Sequence, residues 1–404
     1  MKLPYTLQFS IYGVVFFGFC LVSTAQPLHI YLTYSDTPET SIDINVIMPD
    51  RTGPVDIYYD DEPRHEILAE YRLSTAATYV PTPIEMADGR KVYVAQLKKL
   101  KPGTQYSFTA GNTNDGFSRE LKFRTLPGGN APIRFINGGD MGVDTRANMI
   151  QRMAAKSDPD FAVIGGDLAY ADGLIGNLDL WDKWLNNWQT LMKRSDGSMI
   201  PIVTCIGNHE VNKYKTDISE LRSPWYFSLF GRQGEELYYS RTVGDTMVFF
   251  VLDSGYHHSF DGKQSEWLKS ELEKYKHIPH KFAVYHMPMY PAFSDYSSER
   301  RQLARDSWAR LFDAYGVRVA FEHDDHVAKR SKPLKANRVE EGGTVYIGDG
   351  AFGRESRNVD RTVRWYNSME KSVVHFWQVD VTHEAVKLQA IDRKRQVFDT
   401  LLLP

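Results

Sequence analysis

Phe161-Ala-Val-Ile-Gly-Gly-Asp-Leu-Ala-Tyr-Ala-Asp172 is four apolar residues, a glycine pair, and then oxygen-bearing side chains at Asp167, Tyr170 and Asp172. Such a stretch reads as a strand buried on both faces that runs straight into a loop able to approach a ligand closely. The same order recurs on both sides of it. Ile133-Arg-Phe-Ile136 leads into Gly139-Asp140-Met141-Gly142, and Ile202-Val-Thr-Cys-Ile206 into Gly207-Asn208-His209-Glu210. Phe282-Ala-Val-Tyr285 leads into His286-Met-Pro288, and Val317–Phe321 into Glu322-His323-Asp324-Asp325-His326. Met247–Leu252 is a further apolar strand, and helical patterns lie over Arg146–Lys156, Leu180–Arg194, Lys263–Tyr275 and Arg300–Tyr315. This alternation predicts an α/β domain whose strands are covered on both faces, with ligands gathered beyond their carboxyl ends. One Gly-Asp pair is ordinary turn chemistry. Five polar clusters in series bring carboxylates, imidazoles, an amide and a phenol to where a dinuclear metal centre could form.

Outward from this core the texture changes. The last strands, near Thr344–Ile347, Val373–Val379 and Val386–Asp392, are expected to be antiparallel. Trp181, Trp184 and Trp188 share one helical face, a pattern of core packing. From His29 to Thr125 the chain is a succession of short alternating runs split by turn signals such as Lys101-Pro-Gly103 and Thr113-Asn-Asp-Gly116. That predicts an antiparallel β-sandwich, closed by the linker Leu126–Pro132. Domain boundaries are therefore expected at 26–128 for the sandwich and 129–404 for the α/β domain, after a leader over 1–25.

The leader is read from its residues. Ile11–Val22 is uncharged and apolar, Lys2 precedes it, and Ser23 and Ala25 stand at the positions of a cleavage site after Ala25. The run is short of the ~20 residues of a membrane span. The expected product is secreted or periplasmic, with no stable membrane span once cleaved. Cleavage would remove Cys20 and leave Cys205 alone, so no intrachain disulfide is expected. With Lys+Arg 48 against Asp+Glu 51, the chain lacks the excess of cations needed to wrap a nucleic-acid duplex. No Gly-x-Ser-x-Gly elbow is present, which argues against a serine hydrolase. These features set no oligomeric state.

Taken in order, the clusters resemble the metallophosphoesterases, and within them the purple acid phosphatases, whose pattern is D-x-G, G-D-x-x-Y, G-N-H-[DE], a lone His after an apolar strand, and G-H-x-H. The resemblance extends to Leu252-Asp-Ser-Gly255, to Gln264–Leu268, and to His29–Ile47 with Leu100–Tyr106, which look like that group's N-terminal fibronectin-type-III-like domain. It implies a calcineurin-like metallophosphoesterase α/β sandwich behind the N-terminal antiparallel β-sandwich. Carried over by motif, it implies that Asp140, Tyr170 and His326 hold one metal, Asp167 bridges, and Asn208 with His286 holds the second. Hard phenolate and carboxylate donors suit Fe(III), while Asn and imidazole accept divalent Fe, Mn or Zn. Relatives lacking the Tyr170 phenol usually carry a histidine where this chain has Gly142, which favours a mixed-valent centre over two Mn(II). His209 would face the phosphate with Asn208 and protonate the leaving group, Glu210 orienting its ring. Tyr290, Arg354, Arg357, His257 and His258 are weaker candidates for reading the ester's substituent.

One motif departs from the pattern. Aligning its second histidine with His326 puts Asp324 where the first is expected and leaves His323 one residue out of phase. In an extended segment, residues two apart share a face, so Asp324 is the better-placed ligand, and His323 replaces it only through a bulge. An added anionic donor would lean the site toward harder divalent ions and weaken its hold on an anionic substrate. The function so implied is a secreted acid phosphatase that hydrolyses small phosphomonoesters with a metal-activated hydroxide. The alternatives are a phosphodiesterase or nucleotide pyrophosphatase using the same centre, and an exported binding protein with a degenerate, metal-poor domain.

Overall fold

A computed structural model describes residues 26–49, 53–82, 88–215, 220–231, 237–348, 350–359 and 363–404. The expected leader and Cys20 lie outside the described residues. Two β-sheets pack face to face, with helices on both outer faces. The reason is visible in the alternation of each strand. Phe135 and Phe161 of strands Ile133–Gly138 and Phe161–Ile164 point inward onto Phe249 of Met247–Val251, with ring centroids 5.1 Å and 5.7 Å apart. Their neighbours Ile136 and Ala162 point outward, into a core closed by helices Thr145–Ala155 and Leu178–Leu191. On the other side, Val248, Phe250, Ala283 and Ala320 face helix Lys263–Lys274 and the helical run from Glu299 to Tyr315. A strand covered twice is apolar throughout, as the sequence predicts.

Strands Ile133–Gly138, Phe161–Ile164 and Ile202–Thr204 are parallel neighbours in the first sheet. Met247–Val251, His280–Val284, Val319–Glu322 and Val345–Gly348 are parallel in the second. All of these carboxyl ends open on one edge of the sandwich. The expectation for the last strands holds for His375–Val381 and Val386–Asp392, which pair antiparallel. It is corrected at Val345–Gly348, which runs parallel to Val319–Glu322 and antiparallel only to Ala328–Ser331. The three tryptophans are buried as core residues, Trp181 and Trp184 against Phe230 and Trp188 stacked on Trp184.

Strands His29–Thr33 through Leu121–Arg124 pair antiparallel with one another. Thr33 pairs in parallel with Ile202, so the first sheet continues from one part of the chain into the other. The seam is polar as well. Asp182 on helix Leu178–Leu191 accepts from His29 at 2.8 Å and from Arg90, and Gln189 Oε1 accepts from the Ile30 amide at 2.7 Å. Burial opposes the charge on Asp182, but the hydrogen bonds from His29 and Arg90 prevail and hold its pKa at about 2. Among the described residues no helix is long and apolar enough to cross a membrane.

Candidate metal centre

Each site loop starts where a strand ends, and the backbone there bends in one unusual way. Asp140 (φ 56°), Asp167 (φ 53°), Tyr170 (φ 59°), Asp172 (φ 54°), Asp324 (φ 68°) and His326 (φ 53°) all occupy the left-handed region. Residues with a Cβ avoid it, so its concentration at one edge of the fold marks strain at a functional site. Close approach of the loops needs glycine. A Cβ on Gly207 would stand 2.3 Å from Asp167 Oδ1.

The side chains converge on one group. The Tyr170 hydroxyl lies 3.0 Å from Asp140 Oδ1 and 3.1 Å from His326 Nε2, and His326 Nε2 is 2.9 Å from Asp140 Oδ1. His286 Nε2 is 3.3 Å from Asp167 Oδ1, 3.0 Å from Asn208 Oδ1 and 3.8 Å from Asp324 Oδ1. Its Nδ1 is fixed on the Gly165 carbonyl at 2.7 Å, which leaves Nε2 as the outward donor. Donor atoms of Asp140, Asp167 and His286 lie within 4.8 Å of one another.

This set fits a cation. Asp140 and Asp167 are buried, and among the described residues neither is paired with a Lys or Arg. Buried carboxylates without a positive partner are costly. Left to protein groups alone, the charge falls on His286: burial opposes its protonation, but Asp167 and Asp140 raise its pKa well above the usual value. Burial, reinforced by Asp140 and Asp167, likewise pushes the Tyr170 phenol up. Such a phenol becomes a phenolate only beside a cation of high charge.

The structure distinguishes several sequence-derived roles. The His323 ring is packed behind the site, where a Cβ on Gly165 would stand 1.7 Å from its Cδ2 and one on Gly139 2.7 Å from its Nδ1. Asp324 faces His286 instead. The extended geometry expected to put it there is corrected, because left-handed turns at 324 and 326 do so. Glu210 does not orient His209: its carboxylate accepts from the amides of Asp167, Leu168 and Gly207, each at 2.8 Å. Burial, then the Asp167 charge, raises its pKa to about 8. The carboxylate on His209 Nδ1 is Asp172, for which the motif pattern implies no role. The His209 ring packs at a tilt of 35° against Tyr170, with centroids 4.2 Å apart, and its Nε2 lies 3.9 Å from Asp167 Oδ2. Tyr290 is corrected as a substrate residue, since it is buried against Tyr346 and its hydroxyl is spent on Asn337. Arg354 lies over the Tyr170 ring at 4.2 Å, whereas Arg357 stacks on Phe293 and His257 is buried against Ser223.

Residues 138–327, which carry every one of these donors, match the calcineurin-like phosphoesterase family, and residues 27–125 match the purple acid phosphatase N-terminal domain. The chain belongs to the purple-acid-phosphatase-like metallophosphoesterases. It is 27% identical over 338 residues to purple acid phosphatase 21 of Arabidopsis thaliana, covering 81% of this chain and 70% of the relative. Acid phosphatase type 7 of Homo sapiens is 29% identical over 324 residues, 70% of each. The purple acid phosphatase from yellow lupin (Lupinus luteus) seeds has the same fold, with a TM-score of 0.77 at 17% identity over 94% of this chain and 75% of that one. This purple-acid-phosphatase-like chain is accordingly a phosphoric ester hydrolase of a family that works with a dinuclear metal centre.

Proposed function

We propose that the chain hydrolyses small phosphomonoesters at a dinuclear centre, with Asp140, Tyr170 and His326 on one metal, Asn208, His286 and Asp324 on the other, and Asp167 between them. The observation that carries this is the convergence of Asp140, Asp167 and His286 donor atoms within 4.8 Å, with neither aspartate paired with a Lys or Arg among the described residues. Phenolate and carboxylate donors on one side suit Fe(III), and the amide and imidazole on the other suit divalent Fe, Mn or Zn. When bound, the pair would polarise the phosphoryl group and lower the pKa of an attacking water.

The chain's own residues supply the rest. His209 is the proton donor to the departing alkoxide. Asp172 accepts from Nδ1–H and so fixes the tautomer, while the Tyr170 ring fixes the plane, and Nε2 is left facing the centre. The His209 amide also donates to Asp167 Oδ1 at 2.8 Å, so the donor and the bridging carboxylate are set by one hydrogen bond. Glu210 acts at one remove, holding the Asp167 and Gly207 loops in register through three amides.

Two further readings belong to the proposal. The chain divides into a fibronectin-III-like domain over 26–128 and a catalytic domain over 129–404. It is exported to the periplasm or the extracellular space, on the strength of the apolar run Ile11–Val22 followed by Ser23 and Ala25.

Turnover of a chromogenic phosphomonoester and its diester, on protein whose metal content has been measured, tests the function. The monoester is expected to have the higher kcat/KM. A diester preference would replace this reading with the phosphodiesterase, and metal-free, inactive protein would leave the exported binding protein.

A further inference from the structure

Asp324 brings an extra negative charge to the site, and the structure shows what stands beside it. Arg301, on helix Glu299–Ala304, has a largely buried side chain held at two points. Its Nε donates to the Pro288 carbonyl at 3.1 Å and its Nη1 to Ser298 Oγ at 3.2 Å. The remaining nitrogen, Nη2, lies 3.7 Å from Asp324 Oδ2. That is too long for a hydrogen bond and well within range of charge attraction. The other Asp324 oxygen is 3.8 Å from His286 Nε2, so the guanidinium is one carboxylate away from the metal ligands. Its neighbour Arg300 is turned elsewhere, onto the Ser254 carbonyl and the Tyr256 ring.

We propose that Arg301 is the charge partner that lets an aspartate stand at position 324, and that the pair sets how tightly the site holds the anionic oxygens of a phosphate ester. Arg301 is a positioning residue, acting through Asp324. An unbalanced Asp324 would repel the dianionic group that the centre must bind, and the fixed guanidinium cancels that repulsion. The inference rests on the dinuclear reading given above.

The test is a double-mutant cycle of Arg301→Gln and Asp324→His, read by calorimetric titration with inorganic phosphate and by metal content. Arg301→Gln should weaken phosphate about tenfold and raise KM for a phosphomonoester by a similar factor, with kcat within about threefold. Asp324→His should bind phosphate several-fold more tightly than the parent, and adding Arg301→Gln to it should change binding by less than about threefold. Arg301→Lys, which keeps the charge, should also stay within about threefold. Unchanged phosphate binding in Arg301→Gln, additive effects, or an Asp324→His protein no tighter than the parent would each overturn the inference alone. A parent protein that takes up no metal would overturn the dinuclear reading, and the inference with it.

Discussion

Lys329→Met is expected to destabilise the protein by about 3 kcal/mol, and the cause lies directly behind the ligand loops. Lys329 and Glu322 have side chains 1% and 0% exposed, and Nζ touches both Glu322 Oε2 and the Tyr290 carbonyl. The Lys329 stem fits only because position 348 is glycine, where a Cβ would come 2.5 Å from Cε. Glu322 Oε1 accepts from the Tyr285 hydroxyl at 2.7 Å and from the Met289 amide at 2.6 Å, so the pair ties the His286 loop to the Asp324–His326 loop. Deleting one member of a buried pair leaves an uncompensated charge, at a cost of about 3–5 kcal/mol. The two surviving hydrogen bonds to Glu322 place this case at the low end. Glu322→Gln with Lys329→Met removes both charges and should recover about 2 kcal/mol of the loss. Urea unfolding of the parent, the single variants and the double variant measures all terms. A Lys329→Met protein within about 1 kcal/mol of the parent, or a double variant whose cost is the sum of the singles, would refute the pairing argument.

Gly165→Ala should cost more than about 2 kcal/mol and lower the metal content, because its Cβ would stand 1.7 Å from the His323 ring. A thermal melt unchanged from the parent would contradict that packing. Asp172→Asn should lower kcat about tenfold while leaving KM within about threefold, since it loosens His209 without touching the metal donors; equal loss in KM would assign Asp172 to binding instead. Acid should loosen the seam at helix Leu178–Leu191. Asp182 has a folded pKa of about 2, below its ordinary value, so its stabilisation is complete above pH ~4 and is lost as pH falls toward about 2. With its side chain 34% exposed, the contribution is about 1 kcal/mol after screening. Asp182→Asn should therefore flatten the stability profile between pH 4 and pH 2, and an unchanged slope there would contradict the assignment.

The order of the fold was legible because each central strand is covered on both sides, which leaves apolar runs such as Phe161–Ile164 that end abruptly in ligand-type residues. Strand Leu73–Val80 was not legible. It is largely exposed and bridges from Val55–Asp60 to Lys91–Leu97, so Leu-Ser-Thr-Ala-Ala-Thr-Tyr-Val carries no period-two signal. Helix Pro224–Phe230 was missed for the opposite reason, being almost wholly buried and so lacking a polar stripe. In the site, residues at strand ends could be named from their order, but their partners could not. Asp172 meets His209 across 37 residues and Arg301 meets Asp324 across a helix and a strand, and such pairings follow only from the packed loops. Tyr290 shows the converse, because a tyrosine close after His286 in sequence turns its hydroxyl away, toward Asn337.

The central claim is that Asp167 joins two metal ions in one centre. Metal analysis of the parent protein beside Asp167→Asn tests it most directly. The parent is expected to carry close to two ions per chain, iron among them, and the variant close to one or none with its phosphatase activity lost. A parent holding at most one ion, or an Asp167→Asn protein that keeps both ions and full turnover, would contradict it.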